Sequence, residues 1–162
     1  MSGDLIEFLR ARLDEDEQTA RAASPGPWRH NPEKHHHIVG TPLFEEAVFA
    51  GPTGADATCV AGTGETDDSQ SMRDAAHIAR HDPARVLREV EAKRALVAAY
   101  ELACRKRTEI ADEHWGAAPS GDLSAVERWK EHDAVAEALK PHVLRRAAVY
   151  VDHPDYRAEW RP

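Results

Sequence analysis

A chain of 162 residues fits one domain with a real core, and its formal net charge of −8 ill suits it to neutralising a run of nucleic-acid phosphates. Hydrophobic residues make up 41% and charged residues 31%, a balance that suits a small helical protein with a large solvated surface. There is no signal-peptide pattern and no apolar run of membrane-spanning length, and Cys59 and Cys104 form no C-x-x-C pair; the expectation is a reduced, cytoplasmic protein with two free thiols.

Residues 4–22 predict a first helix that buries Leu5, Ile6, Leu9 and Leu13, with Phe8 at the margin. Its acidic run, Asp14-Glu15-Asp16-Glu17, reads as a solvated face in which only Asp14 and Glu17 are a facing pair. Ser24-Pro25-Gly26-Pro27 ends the helix, and Trp28 begins a strand or plugs the core. Residues 28–30, 37–39, 46–50 and 58–61 are short β-leaning runs, separated by Asn31-Pro32, Thr41-Pro42 and 51–54, and predict a small antiparallel meander. Residues 62–70 (GTGETDDSQ) are polar and read as a loop without the phosphate-loop spacing or its lysine.

Residues 71–80 predict a short helix capped by Ser69 or Ser71. A corner follows at His81-Asp82-Pro83, because a residue before proline is biased away from helical angles. Asp82 then caps, and Pro83 opens, the central helix of the chain, with Val86, Leu87, Val90, Val97 and Leu102 as its apolar stripe. Nothing breaks it before Trp115, and a length of roughly 24 residues, about 36 Å, is expected. After a loop at 116–121, residues 123–140 predict a helix burying Leu123, Val126, Trp129, Val135, Ala136 and Leu139, and Pro141 opens a further helical segment to residue 150. The tail, residues 151–162, carries Tyr156 and Trp160 at i,i+4. The pair suits docking on the protein's own core, or else partner binding.

Three stretches, LIEFLRARLDEDEQTARAASPGP (5–27) running into Trp28, HIARHDPARVLREVEAKR (77–94) and DHPDYRAEWRP (152–162), together resemble an uncharacterised family of small actinobacterial proteins also found in actinophage and prophage settings. The resemblance implies a compact, cytoplasmic α+β protein with terminal signatures framing a variable middle. It carries no established activity and hence no catalytic residues.

Ten histidines are the one unusual abundance. Strand alternation would put His35 and His37 on one face, and His77 and His81 have the i,i+4 spacing by which a helix offers two imidazoles to one ion. These four, with Asp82 or a carboxylate from Glu33 or Glu45 as substitute, are the candidate ligands for zinc or another divalent metal. Against that, the stretch from His77 to His81 lacks the glutamate of a zinc-protease motif, and a histidine at a helix end has its own reason to be there. There is no G-x-S-x-G turn, neither cysteine has an evident paired base, and no carboxylate pair is marked by an apolar surround. Arg105-Lys106-Arg107 and Arg145-Arg146 are short basic clusters, the first without interleaved aromatics, which argues against a nucleic-acid groove.

The expected fold is α+β: a long central helix and three to four other helices packed on a small antiparallel sheet of three to four strands, in a single domain over residues 1–162. The expected function is a non-enzymatic binding module for a protein partner or small ligand, with no nucleic acid and no membrane. A homodimer through the long helices fits the same picture. The competing expectation is a metal-binding protein or metal-dependent hydrolase using His35, His37, His77 and His81.

Overall fold

Aspartate, proline and glycine set where the elements of this chain begin and end. The computed structural model describes residues 2–30, 36–37, 44–52, 56–66, 68–115 and 122–162, the side chains of residues 2, 36 and 37 excepted. In chain order the elements are α1 (Ser2–Ala22), β1 (Arg29–His30), β2 (His36–His37), β3 (Phe44–Ala50), β4 (Thr58–Glu65), α2 (Ser69–Arg80), α3 (Pro83–Trp115) and α4 (Leu123–Ala147), followed by 3-10 turns at Ala148–Tyr150 and Ala158–Trp160. This is the expected α+β architecture. The breaks at Asn31-Pro32 and Thr41-Pro42, the strand residues 38–39 and the loop 116–121 lie outside the described residues, as does part of the turn 51–54. Among the described residues no helix is long and apolar enough to cross a membrane.

The chain divides into two compact units, one formed by Met1–Asp14 with Glu91–Pro162 and the other by Glu15–Val90. In the second unit, β3 is the central strand, antiparallel to all its neighbours. β4 runs along one edge, while β1 pairs with Val48 and Phe49, and β2 with Phe44 and Glu45, along the other. The sheet therefore has three ranks, and α2 packs against β1, β3 and β4. Ala47, Val48, Phe49 and Ala50 of β3 are buried, together with Ala75 of α2.

The polar stretch read as a loop from residue 62 is instead strand as far as Glu65, with Gly62 opposite Ala47 and Gly64 opposite Glu46. Its glycines are what allow it. A Cβ at Gly62 would run into the Glu45 carboxylate, and Gly64 sits at φ +128°, where a Cβ would stand 2.5 Å from Ser71 Oγ. Gly64→Ala should accordingly lower unfolding free energy by about 1–3 kcal/mol, read from urea denaturation.

Asp68, rather than Ser69 or Ser71, caps α2: its carboxylate accepts from the Ser71 backbone N–H at 2.7 Å and from the Ser71 hydroxyl at 2.9 Å. Those bonds, the backbone one foremost, hold the Asp68 carboxyl below its usual range. A depressed carboxyl stabilises the fold above its unfolded value, about 3.9, and loses that contribution as pH falls through its folded value. A carbon-detected NMR titration should find Asp68 titrating below the exposed aspartates, and Ser71→Ala should bring it part of the way back.

The corner at residues 81–83 is as the sequence implies. Asp82 Oδ1 accepts from the Arg85 backbone N–H at 2.8 Å and Pro83 is the first residue of α3. The same freedom from proline and glycine carries α3 over 33 residues, about 50 Å, instead of roughly 24. Val90 and Val97 are buried, but Leu102 is 46% exposed. Tyr100, Ala103 and Ile110 take the buried positions instead.

In the first unit, Leu5, Ile6, Phe8, Leu9 and Leu13 of α1 are buried, so Phe8 belongs to the core and not to its margin. α4 runs unbroken through Pro141, where a separate segment was expected. The proline gives up one helical hydrogen bond there and crowds the carbonyl one turn back, which a long, otherwise intact helix absorbs. Ala125, Ala136, Val143 and Ala147 form its buried line, whereas Leu123 and Val135, expected inside, are 78% and 47% exposed. Exposed ion pairs, Arg10–Glu101, Arg94–Asp14 and Arg157–Asp4, fasten the unit's segments to one another. Each contributes little, on the order of 0–1 kcal/mol.

Candidate functional site: the helix corner, a buried acid–histidine pair and an aromatic patch

The end of α2 brings His77 and His81 together. Their ring centroids are 4.4 Å apart with 42° between planes, and both residues are exposed. His81 Nδ1 donates to the His77 carbonyl oxygen at 2.8 Å, so in the neutral ring the proton sits on Nδ1 and the lone pair is on Nε2. His81 thus covers a carbonyl left open at the helix end, the structural role its position suggests. Asp82 is engaged in capping α3. Its carboxylate also lies against Gly26, where a Cβ would come within 2.8 Å of Oδ2. The Ser24–Pro27 corner, in which the Gly26–Pro27 peptide is cis and the Trp28 indole N–H donates to the Ser24 carbonyl at 2.8 Å, therefore rests on the α2–α3 corner. Of the other candidate ligands, His35 lies outside the described residues. His37 is placed by its backbone alone, opposite Phe44. Among the described residues no group of three or more His, Cys, Asp or Glu side chains is arranged to hold a metal.

The sheet contains a pair that the sequence reading missed. Glu46 of β3 is fully buried, and its Oε2 lies 2.8 Å from His30 Nε2 of β1, itself only 10% exposed. Thr63 Oγ1 of β4 donates toward the Glu46 carbonyl at 3.3 Å and the Ser71 carbonyl at 2.8 Å, adding polar bonds to the seam between β3, β4 and α2. A carboxylate there needs a partner such as His30, since taking a charge out of water without one costs several kcal/mol. The available signal was a glutamate inside the β run Phe44-Glu45-Glu46-Ala47-Val48-Phe49-Ala50, an environment that depletes glutamate.

On the same strand pair, Cys59 stands opposite Phe49. Burial pushes its thiol up, and the nearby Glu45 charge adds to this against a backbone hydrogen bond at Ala61. Less thiolate at neutral pH means a slower nucleophile. Cys59 should be alkylated by iodoacetamide more slowly than a free cysteine peptide at pH 8, and Glu45→Gln should recover part of the rate, both read by peptide mass mapping. Cys59 and Cys104 are free thiols and belong to different units.

In the first unit the tail aromatics gather on Phe8. Its ring meets Trp160 at 4.8 Å, His153 at 5.7 Å, Tyr156 at 6.1 Å and Tyr150 at 6.2 Å, the last three edge to face. Arg12 lies 5.7 Å above Phe8 and Arg157 lies 5.4 Å above Trp160. Trp160 is 4% exposed, and Tyr156 is half-buried. Among the described residues neither Trp160 Nε1 nor the Tyr156 hydroxyl meets a hydrogen-bond partner.

A groove of about 760 Å³ lies in this unit where α3 and α4 run side by side, lined by Lys106, Glu109, Ile110, Asp112, Glu113, Arg128 and His132. Only Ile110 among these is apolar. Lys106 donates to Glu109 at 2.8 Å, and that bond holds the Glu109 carboxyl below its usual range. The Trp115 and Trp129 rings pack edge to face at 6.0 Å on the same two helices.

No curated protein and no solved structure matches this chain. A family model does, over residues 2–162, and its description is a family of unknown function, DUF6221. The match spans the terminal signatures and the region between them, and the chain belongs to this uncharacterised family.

Proposed function

We propose that this chain is a non-enzymatic binding module whose working surface is the α3–α4 groove and whose occupant is a polar segment of a protein partner. One observation carries the reading: the groove presents cationic Lys106 and Arg128 beside anionic Glu109, Asp112 and Glu113, over a single apolar floor residue, Ile110. Sites for small molecules and cofactors are lined mainly by apolar and aromatic side chains, with few polar groups. An open channel of mixed charge suits the polar, hydrated contacts of a protein interface better. Cytoplasmic location, self-association through the long helices, and a setting in actinobacteria or their phages belong to the same proposal. They rest on composition and on the terminal signatures.

The test begins with native mass spectrometry of the tag-free chain, for oligomer mass and any retained small molecule. A photo-cross-linking residue is then placed at Arg128, and in a control at exposed Glu91, and irradiated in the native host. The reading expects a discrete protein adduct from position 128 alone, abolished by the charge reversal Lys106→Glu. A co-purified small molecule in the groove, or identical adducts from both positions, would overturn it.

A further inference from the structure

The corner between α2 and α3 has a feature that a partner groove does not use. We infer that His77 and His81 form a two-histidine chelate for a borderline divalent ion, copper(II) before nickel(II) or zinc(II), with water in its remaining positions.

The spacing puts both imidazoles on one face of α2 in its last turn, and the fold brings them together, with ring centroids 4.4 Å apart. Metal–imidazole bonds of about 2.0–2.1 Å require the two donor nitrogens to stand about 3 Å apart, a separation within reach of two rings whose centroids are 4.4 Å apart. His81 is already prepared as a ligand. Its Nδ1–H is bound to the His77 carbonyl at 2.8 Å, which fixes the tautomer, aims the ring and leaves Nε2 as the donor. The carbonyl thus acts as the outer-shell partner that ligating histidines ordinarily have. His81 closes α2 with φ −104° and ψ 39°, and its backbone N–H donates to the Ile78 carbonyl, so the ligand stands on a defined end and not on a fraying one.

The chemistry follows from the donors. Imidazole suits copper, nickel and zinc, and the order of affinities among divalent ions places copper first. Among the described residues no third His, Cys, Asp or Glu completes a cluster, so the chelate stays open to water. Both ligands must be unprotonated to bind, so uptake weakens on acidification.

The experiment uses the full, tag-free chain, stripped with chelator and titrated with copper(II) alone at pH 7.5 by calorimetry, with electron paramagnetic resonance of the one-equivalent complex. His77→Ala, His81→Ala and a variant with alanine at residues 35–37 are run beside it. The exposed positions of His77 and His81 keep these variants folded, which circular dichroism checks. The expected result is one tight equivalent with a nitrogen-split signal, weakened at least about tenfold in either corner variant, a loss no smaller than that of an outer-shell partner. Affinity in the 35–37 variant should be unchanged. Equal affinity in wild type and His77→Ala would overturn the chelate, and so would loss of binding in the 35–37 variant.

Discussion

Phe8→Ala is expected to lower unfolding free energy by about 3–5 kcal/mol, the range for truncating a buried aromatic. The ring is 7% exposed and is met by Tyr150, His153, Tyr156 and Trp160 alike. Its loss removes both its own burial and the edge-to-face contacts, each worth about 0.5–1.5 kcal/mol beyond area. Among the described residues the backbone bonds of the tail, such as His153 to Tyr150 and Trp160 to Arg157, are all local. Side chains therefore hold the tail in place, and the variant should also release it. Urea denaturation measures the first effect, and faster tryptic cleavage after Arg157 measures the second. Phe8→Leu, which keeps most of the volume, should lose clearly less on both counts. A tail that stays protected in Phe8→Ala would mean that the Arg157–Asp4 pair, and not the aromatic patch, is what fastens it.

The second large effect belongs to the sheet. His30→Ala is expected to lose about 3–5 kcal/mol, because it leaves the Glu46 carboxylate in the interior without the imidazole 2.8 Å away. Glu46→Ala should fall in the same range by adding a cavity to a stranded imidazole. Replacing both partners with apolar residues, His30→Phe with Glu46→Leu, should restore much of the loss. A buried pair is dear to break and nearly neutral to exchange whole. The double-mutant cycle from chemical denaturation decides the matter. A coupling near zero would show that Glu46 draws its support from elsewhere in the seam.

These two sites differ in how far the sequence announced them. Asp82-Pro83 and Ser24-Pro25-Gly26-Pro27 are local punctuation, and the helices stop and start there as read. The terminal stretches that suggested the family also bound the match, and the aromatics of the tail were legible as a packing unit. What escaped was set by neighbours distant in sequence. Glu46 is no more than one residue of a β run until the fold brings His30 Nε2 within 2.8 Å of its carboxylate. Gly62 and Gly64 read as loop until Glu45 and Ser71 are seen to occupy the space where their side chains would be. Leu102, Leu123 and Val135 fit an apolar pattern, yet only a partner element can decide which part of a helix is covered. Of the candidate metal ligands, the His77–His81 spacing was readable because i,i+4 geometry is local. Whether His35 and His37 join them is a question of strand placement that spacing cannot answer.

The contact between Gly26 and Asp82 links two of the corners at which this chain turns. The first corner needs a residue without a side chain because the second has placed a carboxylate there, and that carboxylate is fixed because α3 requires its cap. The two positions are therefore coupled in descent. A lineage that gained a side chain at 26 would have to surrender the aspartate at 82 or move it, and one that lost the aspartate would free position 26 to drift. Relatives of this chain should carry the two changes together.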